Sequence, residues 1–482
     1  MKQVSYKLIL KIFLLVLLTL FIARPYMEKG LSHVPTVSTS DYAIEIVDDA
    51  GYKIHLDKPA TRIISLYSAH TENLFALDLA DEVIGVGTAE SFPRAALEKK
   101  AYDYNADPEK VISAQPDLVI IRPFIERHNP AFVDALRRSG LTVVSLYPEN
   151  AQEFESYIMR LGQMTGREKK AEQMLSKFNG EMANLLSQTE AIDKRVGVYF
   201  ESSDRDYTTV TDDSMAARAI EIAGGRNVAT GLEAVEKGST IAPFGLEHIV
   251  EIGDQIDVFV TQRGVMGAGG NWHSISIRPG FDTIKAIQEE RVLEINQKIV
   301  SSPTFRQTLG IKEMMRYFYP DRFNDYSMYD KEVALTRRDF ANLSVLYAQK
   351  PIFVPTSSYF NSEYRGHKFG YFEDISEADD DYYFVETAVL SGYIEGEKVD
   401  QEEYFYPDEL LTKEDLAKYI FLLKDFSHLN QGVVINDLDQ YESARIISVL
   451  VENGVFELDE SGNFNGDELV TGAEAIKILE QL

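Results

Sequence analysis

The sequence predicts an α/β protein of two α/β lobes joined by one long helix, followed by a mostly helical repeat domain. Three observations carry this expectation. Ala171, Met174, Leu175, Phe178, Met182, Leu185 and Leu186 recur at i, i+3, i+4 spacing, which specifies a single amphipathic helix from about Arg167 to Thr189. At 1.5 Å per residue it would span roughly 34 Å, with Lys169, Lys170, Glu172, Lys177 and Glu181 on its wet face. On both sides of it, strand-length apolar runs alternate with helical stretches, the pattern of a mostly parallel sheet. Beyond Phe323 that alternation stops, and three similar phrases begin at Leu335, Leu411 and Val470, which marks internal repeats.

At 482 residues the chain has room for several domains, and its net charge of −29 is unevenly placed. Residues 331–482 hold 31 Asp and Glu against 12 Lys and Arg, a local −19, and no basic groove is visible anywhere, so nucleic acid is not an expected partner. The absence of cysteine excludes disulfides, thiolate metal sites, cysteine nucleophiles and a lipid-anchored cysteine.

In chain order, residues 1–30 carry Lys2, Lys7 and Lys11 and then an apolar run from Ile12 to Ala23, an export signal or membrane anchor. Residues 31–41 read as a linker. Residues 42–150 form the first lobe: Ile44, Ile46 and Tyr52, Ile54, Leu56 alternate around Asp48-Asp49-Ala50-Gly51, a hairpin signal. Strands are expected at Arg62–Leu66, Val83–Val86, Leu118–Ile121 and Leu141–Leu146, with helices near His70–Leu79, Pro108–Ala114 and Pro130–Ser139 between them. Residues 151–192 hold the linking helices. Residues 193–325 form the second lobe, with strands at Val196–Phe200, Val258–Thr261 and Val292–Ile295. Ligands of such sheets sit outside the carboxyl ends of the strands, which nominates the loops beginning at Tyr67 and Arg122 and those from Glu201 to Tyr207 and Gln262 to His273. Residues 326–482 form the repeat domain; Thr336, Thr412 and Thr471 each precede an acid by three residues, a capping box at each helix start.

Several of these phrases carry a resemblance. Ile46-Val47-Asp48-Asp49-Ala50-Gly51, Arg62-Ile63-Ile64-Ser65-Leu66 leading to Thr71-Glu72, and Gln115-Pro116-Asp117-Leu118-Val119-Ile120 resemble the solute-binding proteins of ABC importers for iron-siderophores, haem and cobalamin. Ile222-Ala223-Gly224-Gly225-Arg226-Asn227, Leu246-Glu247-His248-Ile249-Val250 and Ser302-Pro303-Thr304-Phe305-Arg306 continue it in the same order, over about residues 42–323. The resemblance implies that Glu72 and Glu247, one on the outer surface of each lobe, meet arginines of a membrane permease. Read alone, each glutamate is a solvated helix charge or a capping partner.

For the cleft, Tyr67, Arg122, Phe124 and Arg127 in the first lobe and Tyr207, Met215, Arg263 and Trp272 in the second are the expected ligand-binding set. Aromatics with arginines suit a large anionic or planar ligand, a ferric siderophore first, with haem or cobalamin as alternatives. Tyr67 and Phe124 would otherwise only fill surface between the lobes. Trp272, the single tryptophan, follows the glycine-rich Gly267-Ala268-Gly269-Gly270-Asn271, a segment unsuited to a core. His70, His128 and His273 fall in or near these loops, but no metal-ligand spacing accompanies them, and His70 beside Glu72 is expected to face outward. No resident metal or cofactor is expected. Neither a Gly-x-Ser-x-Gly elbow nor a phosphate loop is present, and an enzyme is not expected.

The repeats resemble the S-layer homology repeat, which binds a secondary cell-wall polysaccharide. The resemblance places a polymer-binding arginine after each threonine: it is kept as Arg337, becomes Lys413, and is lost at Gly472. The phrases stand 76 and 59 residues apart, so an insertion precedes the second. The alternatives are a spacer or dimer surface for the tail, and for the whole chain a structural cell-wall protein that transports nothing. The expected partners are therefore an ABC permease, a small-molecule metal chelate and wall polysaccharide, with the protein extracytoplasmic.

Overall fold

The computed structural model describes residues 44–482 apart from Arg205, Lys237, 265–268, 355–371, Ala378, Asp380, Gln401, Asp425 and 428–431. The expected export segment and linker lie outside the described residues. No helix among the described residues is long and apolar enough to cross a membrane.

A hairpin of β1 (Ile44–Val47) and β2 (Lys53–Leu56) opens the described chain. Its turn is built on Asp48, whose buried carboxylate accepts from the amides of Ala50 (3.0 Å), Tyr52 (2.8 Å) and Ser145 (3.0 Å), so one side chain both closes the hairpin and fixes it to the first sheet. That sheet is parallel, in the order β5 (Lys100–Ala101), β4 (Val83–Val86), β3 (Ile63–Ser65), β6 (Leu118–Ile121), β7 (Val143–Ser145). All four residues of β6 are buried, as expected of a strand covered on both faces. The order reverses between β3 and β6, making the gap above their carboxyl ends the switch point of the first lobe.

The helix Phe154–Thr165 ends on Gly166, whose φ of +67° is the left-handed cap glycine tolerates, and the long helix Glu168–Thr189 follows at once. It buries Ala171, Leu175, Phe178, Met182 and Leu185 against that helix and Gln307–Phe318. Leu186, expected on the same face, is 40% exposed. In the second lobe β10 (Arg226–Asn227), β8 (Gly197–Glu201), β12 (Val258–Arg263) and β13 (Val292–Asn296) form another parallel sheet, its switch point between β8 and β12. A short antiparallel pair, β9 (Thr208–Val210) with β11 (Ile241–Pro243), was not expected from the alternation. Two α/β lobes with parallel sheets and a further, largely helical C-terminal region are thus the architecture.

The tail closes into a ring. The amides of Arg337, Lys413 and Gly472 donate to the carbonyls of Glu409 (2.9 Å), Glu468 (2.8 Å) and Val333 (3.0 Å), and bridges join Thr336 to Leu410, Thr412 to Leu469 and Thr471 to Ala334. Each repeat therefore leans on the next and the third returns to the first. All three capping boxes form, with Thr336 and Asp339, Thr412 and Asp415, and Thr471 and Glu474 exchanging bonds with each other's amides. The opening half of the second repeat contributes the helix Tyr382–Leu390, the counterpart of Ala444–Glu452 in the third, and the hairpin of β14 (Glu397–Val399) with β15 (Glu402–Tyr404) follows it.

Candidate functional site

At the first switch point three loops converge. Tyr67 follows β3, Arg122 follows β6, and Tyr147 follows β7. The Arg122 guanidinium lies 5.0 Å from the Tyr67 ring centroid and 4.6 Å from that of Phe124, held between two π faces. Tyr147, missed in the sequence because nothing marks it beyond its place after a strand, packs 6.0 Å from Tyr67. Burial raises the pKa of both tyrosines, most of all at Tyr147, so both phenols stay protonated donors. His128 stacks on Phe124 at 5.2 Å and is exposed.

At the second switch point Glu201, at the end of β8, is fully buried and accepts from Thr261 (3.0 Å) and from both terminal nitrogens of Arg278. Arg278 also covers Phe281 at 5.4 Å, and Tyr207 packs on the same ring at 6.3 Å. Tyr207 has φ +49°, uncommon for a bulky residue. Glu201 opens a loop nominated from sequence, but Arg278 was not a candidate, since a charged residue at a strand end gives no sign of its partner seventy-odd residues away.

The lobes meet along the floor of the cleft. Lys298 of the second lobe reaches Ser68 and the Ala89 carbonyl (3.2 Å) of the first, Asn73 donates to the Pro303 carbonyl (2.8 Å), and Tyr67 hydrogen-bonds Ser302. Beside Lys298, Glu90 is buried, accepts from Thr71 (3.1 Å), and is pushed up to about 7 by desolvation against the pull of Lys298. Nearer the rim Arg127 pairs with Glu236 at 3.3 Å, an exposed pair of small energetic weight.

The candidate residues thus divide. Tyr67, Arg122 and Phe124 form one group, and Arg127 bridges the lobes beside it. Arg263 is exposed but already paired with Glu294 at 3.1 Å. Trp272 opens the short helix Trp272–Ser276, capped by Asn271 and Ser274, and its indole N–H donates to the Ile287 carbonyl at 2.6 Å, leaving the ring 36% exposed. The local cap gives it a fixed seat; residues 265–268 before it are outside the described set.

Four expectations are corrected. Met215 is only 7% exposed because the buried face of helix Met215–Ile222 carries it into the core. His70 faces inward: it is fully buried, bonded to the Tyr157 hydroxyl (2.7 Å) and the Ile121 carbonyl (3.3 Å), and burial lowers its pKa to about 3, so it stays neutral. Glu72 sits on the first lobe but is not in solvent, because Arg306 forks onto it at 2.8 and 2.7 Å and leaves it 6% exposed. Glu247, its counterpart, is exposed. In the tail, Arg337 is 8% exposed and spends its guanidinium on the carbonyls of Phe405 (2.6 Å) and Glu395 (2.7 Å) and on the Tyr419 hydroxyl. Lys413 donates to the Phe464 carbonyl (2.7 Å) and covers that ring at 4.7 Å. Both cations make bonds that close the ring of repeats, Arg337 buried and Lys413 half-buried. Among the described residues no group of three or more His, Asp or Glu could hold a metal ion.

Comparison with known proteins agrees with this architecture. The periplasmic binding protein family matches residues 63–299, and the S-layer homology domain matches residues 435–476. The two-lobed part is a periplasmic binding protein domain, and an S-layer homology domain follows it. An uncharacterized ABC transporter substrate-binding lipoprotein of Bacillus subtilis, YvrC, is 27% identical over 60% of this chain and 89% of its own. The vitamin B12-binding protein of Vibrio parahaemolyticus is 26% identical over 54% of this chain and 90% of its own. The crystal structure of a possible iron-binding (periplasmic solute-binding) protein from Staphylococcus epidermidis superimposes with a TM-score of 0.48, at 24% identity, over 54% of this chain and all of that one.

Proposed function

We propose that the protein captures a metal chelate, a ferric siderophore first among them, in the cleft between its lobes and delivers it to an ABC permease while its tail holds it at the cell wall. The observation that carries this reading is Arg122, a cation whose neighbours among the described residues are aromatic rings at the switch point of the first lobe. A guanidinium flanked by π faces offers an anionic, planar chelate both charge and stacking area. Tyr67 and Tyr147 add protonated hydroxyls for chelate oxygens. Docking on the permease falls to Glu247 and, on the first lobe, to the surface around Glu72.

The test is titration of ferric enterobactin, an anionic tris-catecholate chelate, haemin and cyanocobalamin against wild type and Arg122→Ala. A charge-assisted contact is worth about 1.5–3 kcal/mol, so the variant should bind the ferric chelate roughly 10- to 150-fold more weakly. Binding of none of the three by wild type would sink the reading. A corrinoid is the second reading, favoured by the vitamin B12-binding relative and by the uncharged aromatic surface of Tyr67, Phe124 and Tyr147. It would show as tight cyanocobalamin binding that Arg122→Ala leaves within a few-fold.

A further inference from the structure

A cavity of about 540 Å³ opens on the back of the second lobe, where the lobe meets the first repeat. It lies at the amino ends of the strands, because Arg291 directly precedes β13 and the Tyr319 hydroxyl accepts from the Val196 amide (3.1 Å) just ahead of β8. The cleft lies at the carboxyl ends of the same sheet, so the two are separate. Small-molecule sites commonly enclose about 300–1,000 Å³, and this cavity is of that size.

The lining is cationic in a protein of net charge −29: Arg291, Arg316, Arg322 and Lys350 stand against Glu313 and Asp321. Arg316 belongs to the scaffold, since it is committed to Glu313 (3.2 Å), Asn324 (2.8 Å) and the Lys350 carbonyl (3.0 Å). The other three cations are not so held. Arg291 places one terminal nitrogen on the carbonyls of Tyr317 (3.3 Å) and Phe318 (3.0 Å) and so offsets the negative end of helix Gln307–Phe318. Asp257, whose carboxyl feels the charge of Arg291, is held instead by Lys285 (2.6 Å) and the Gly197 amide (2.6 Å). Arg322 gives one terminal nitrogen to the Gln188 carbonyl at 2.6 Å. Lys350 is exposed, its ammonium 5.9 Å from the Tyr393 ring. Among the described residues no acid forms an ion pair with any of these three.

An uncommon turn sets Lys350 on the rim. Its amide donates to the Val345 carbonyl (3.1 Å) across Gln349, whose φ of +50° fills a helix-ending position that glycine ordinarily takes. Tyr317 adds a neutral donor, since burial pushes its hydroxyl up to about 12 against the pull of Arg291. At physiological ionic strength exposed charges more than about 8 Å away are screened, so these local cations govern the cavity in spite of the acidic chain around it. Cations that share one cavity without an acid partner suit a phosphate, and the remaining space, flanked by Tyr317 and Tyr319, suits the sugar that carries it.

We propose that this cavity is a second ligand site, for a phosphorylated sugar whose phosphate is held by Arg291, Arg322 and Lys350. Two sources share that chemistry, a free sugar phosphate and a phosphate-bearing unit of a wall glycan. The site stands independently of the importer reading.

The test is titration of the full chain with glucose 6-phosphate, with glucose and inorganic phosphate as comparison ligands. Arg322→Gln with Lys350→Gln changes two exposed side chains and leaves Arg291 on its helix end, and an unaltered melting curve checks that the fold is kept. The pair should weaken glucose 6-phosphate binding roughly tenfold or more, added salt should weaken it too, and glucose should not bind. Sedimentation with purified walls, before and after removal of wall phosphate by hydrofluoric acid, separates the sources. Retention that falls both with the pair variant and with phosphate removal assigns the wall glycan; retention that the variant leaves unmoved, beside weakened titration, assigns the free sugar phosphate. No binding of glucose 6-phosphate at about 10 mM would overturn the site. Binding that the pair leaves unchanged and Arg122→Ala abolishes would also overturn it, since the phosphate would then sit in the cleft. Inorganic phosphate bound as tightly as glucose 6-phosphate would overturn the sugar.

Discussion

Arg337→Ala should loosen the tail before it touches any wall polymer. The guanidinium makes three donations to the second repeat's segment, to the carbonyls of Phe405 and Glu395 and to the Tyr419 hydroxyl, and lies 5.1 Å from the Phe405 ring. Hydrogen bonds of a charged group are worth about 1.5–3 kcal/mol each, but three on one guanidinium are not additive, so a loss of about 4 kcal/mol is expected. Lys413→Ala removes one such bond from a half-buried amine and should cost about 1–2 kcal/mol. The assay is hydrogen exchange of the full chain, read in the helices Arg337–Tyr347 and Lys413–Leu423, beside sedimentation with purified walls. Arg337→Ala should lower protection by two to three orders of magnitude, more than Lys413→Ala, with wall binding falling in proportion. Full protection in Arg337→Ala together with lost sedimentation would refute the reasoning, since the arginine would then be touching polymer directly.

Gly472→Ala should destabilise the tail by more than about 2 kcal/mol, because a Cβ there would lie 1.8 Å from the Tyr329 carbonyl oxygen; unchanged tail exchange would refute this. Glu90 has its folded pKa raised from 4.5 to about 7, so the folded state holds a proton that the unfolded chain has released; stability should fall by up to about 3 kcal/mol as pH rises through that window. Urea midpoints across the window should show that slope in wild type, and Glu90→Gln should flatten it. A chromophoric chelate bound in the cleft should quench Trp272, the only tryptophan, and unchanged emission on proven binding would place the ligand away from that helix. Met215→Leu, a volume-conserving change in the core, should leave ligand affinity within a factor of two by the same titration.

The parallel sheets, the long helix and the three capped repeats were legible because each depends on a short-range pattern. Val83–Val86 and Leu118–Ile121 are continuous apolar runs bounded by turns, and the structure makes them strands with those ends. The threonine-to-acid spacing is likewise read within four residues. Functional side chains obey no such local rule. Glu72 and Glu247 look alike in sequence, each early in a helix, yet one is covered by Arg306 from 234 residues away and the other is exposed. His70 reads as a loop histidine until Tyr157, distant in sequence, claims its ring. The small pair β9 with β11 was missed because Thr208–Val210 and Ile241–Pro243 are too short to show a period.

Which cation can act on a partner follows from what each already holds. Arg278 is committed to Glu201, which is inaccessible, and freeing it would leave a buried carboxylate unpaired at a cost of several kcal/mol. Arg337 is committed to two carbonyls and a phenol inside the ring of repeats. Arg306 is committed to Glu72 through two bonds and to the Tyr383 hydroxyl of the tail through a third. All four lie against aromatic rings, but Arg122 has no acid paired with it among the described residues, and a ring contact of about 0.5–2 kcal/mol is readily exceeded by a bidentate anion. The same residue type therefore serves as a strut at Arg278, Arg306 and Arg337, while Arg122, with no acid paired to it among the described residues, is the one proposed as the ligand's counter-charge.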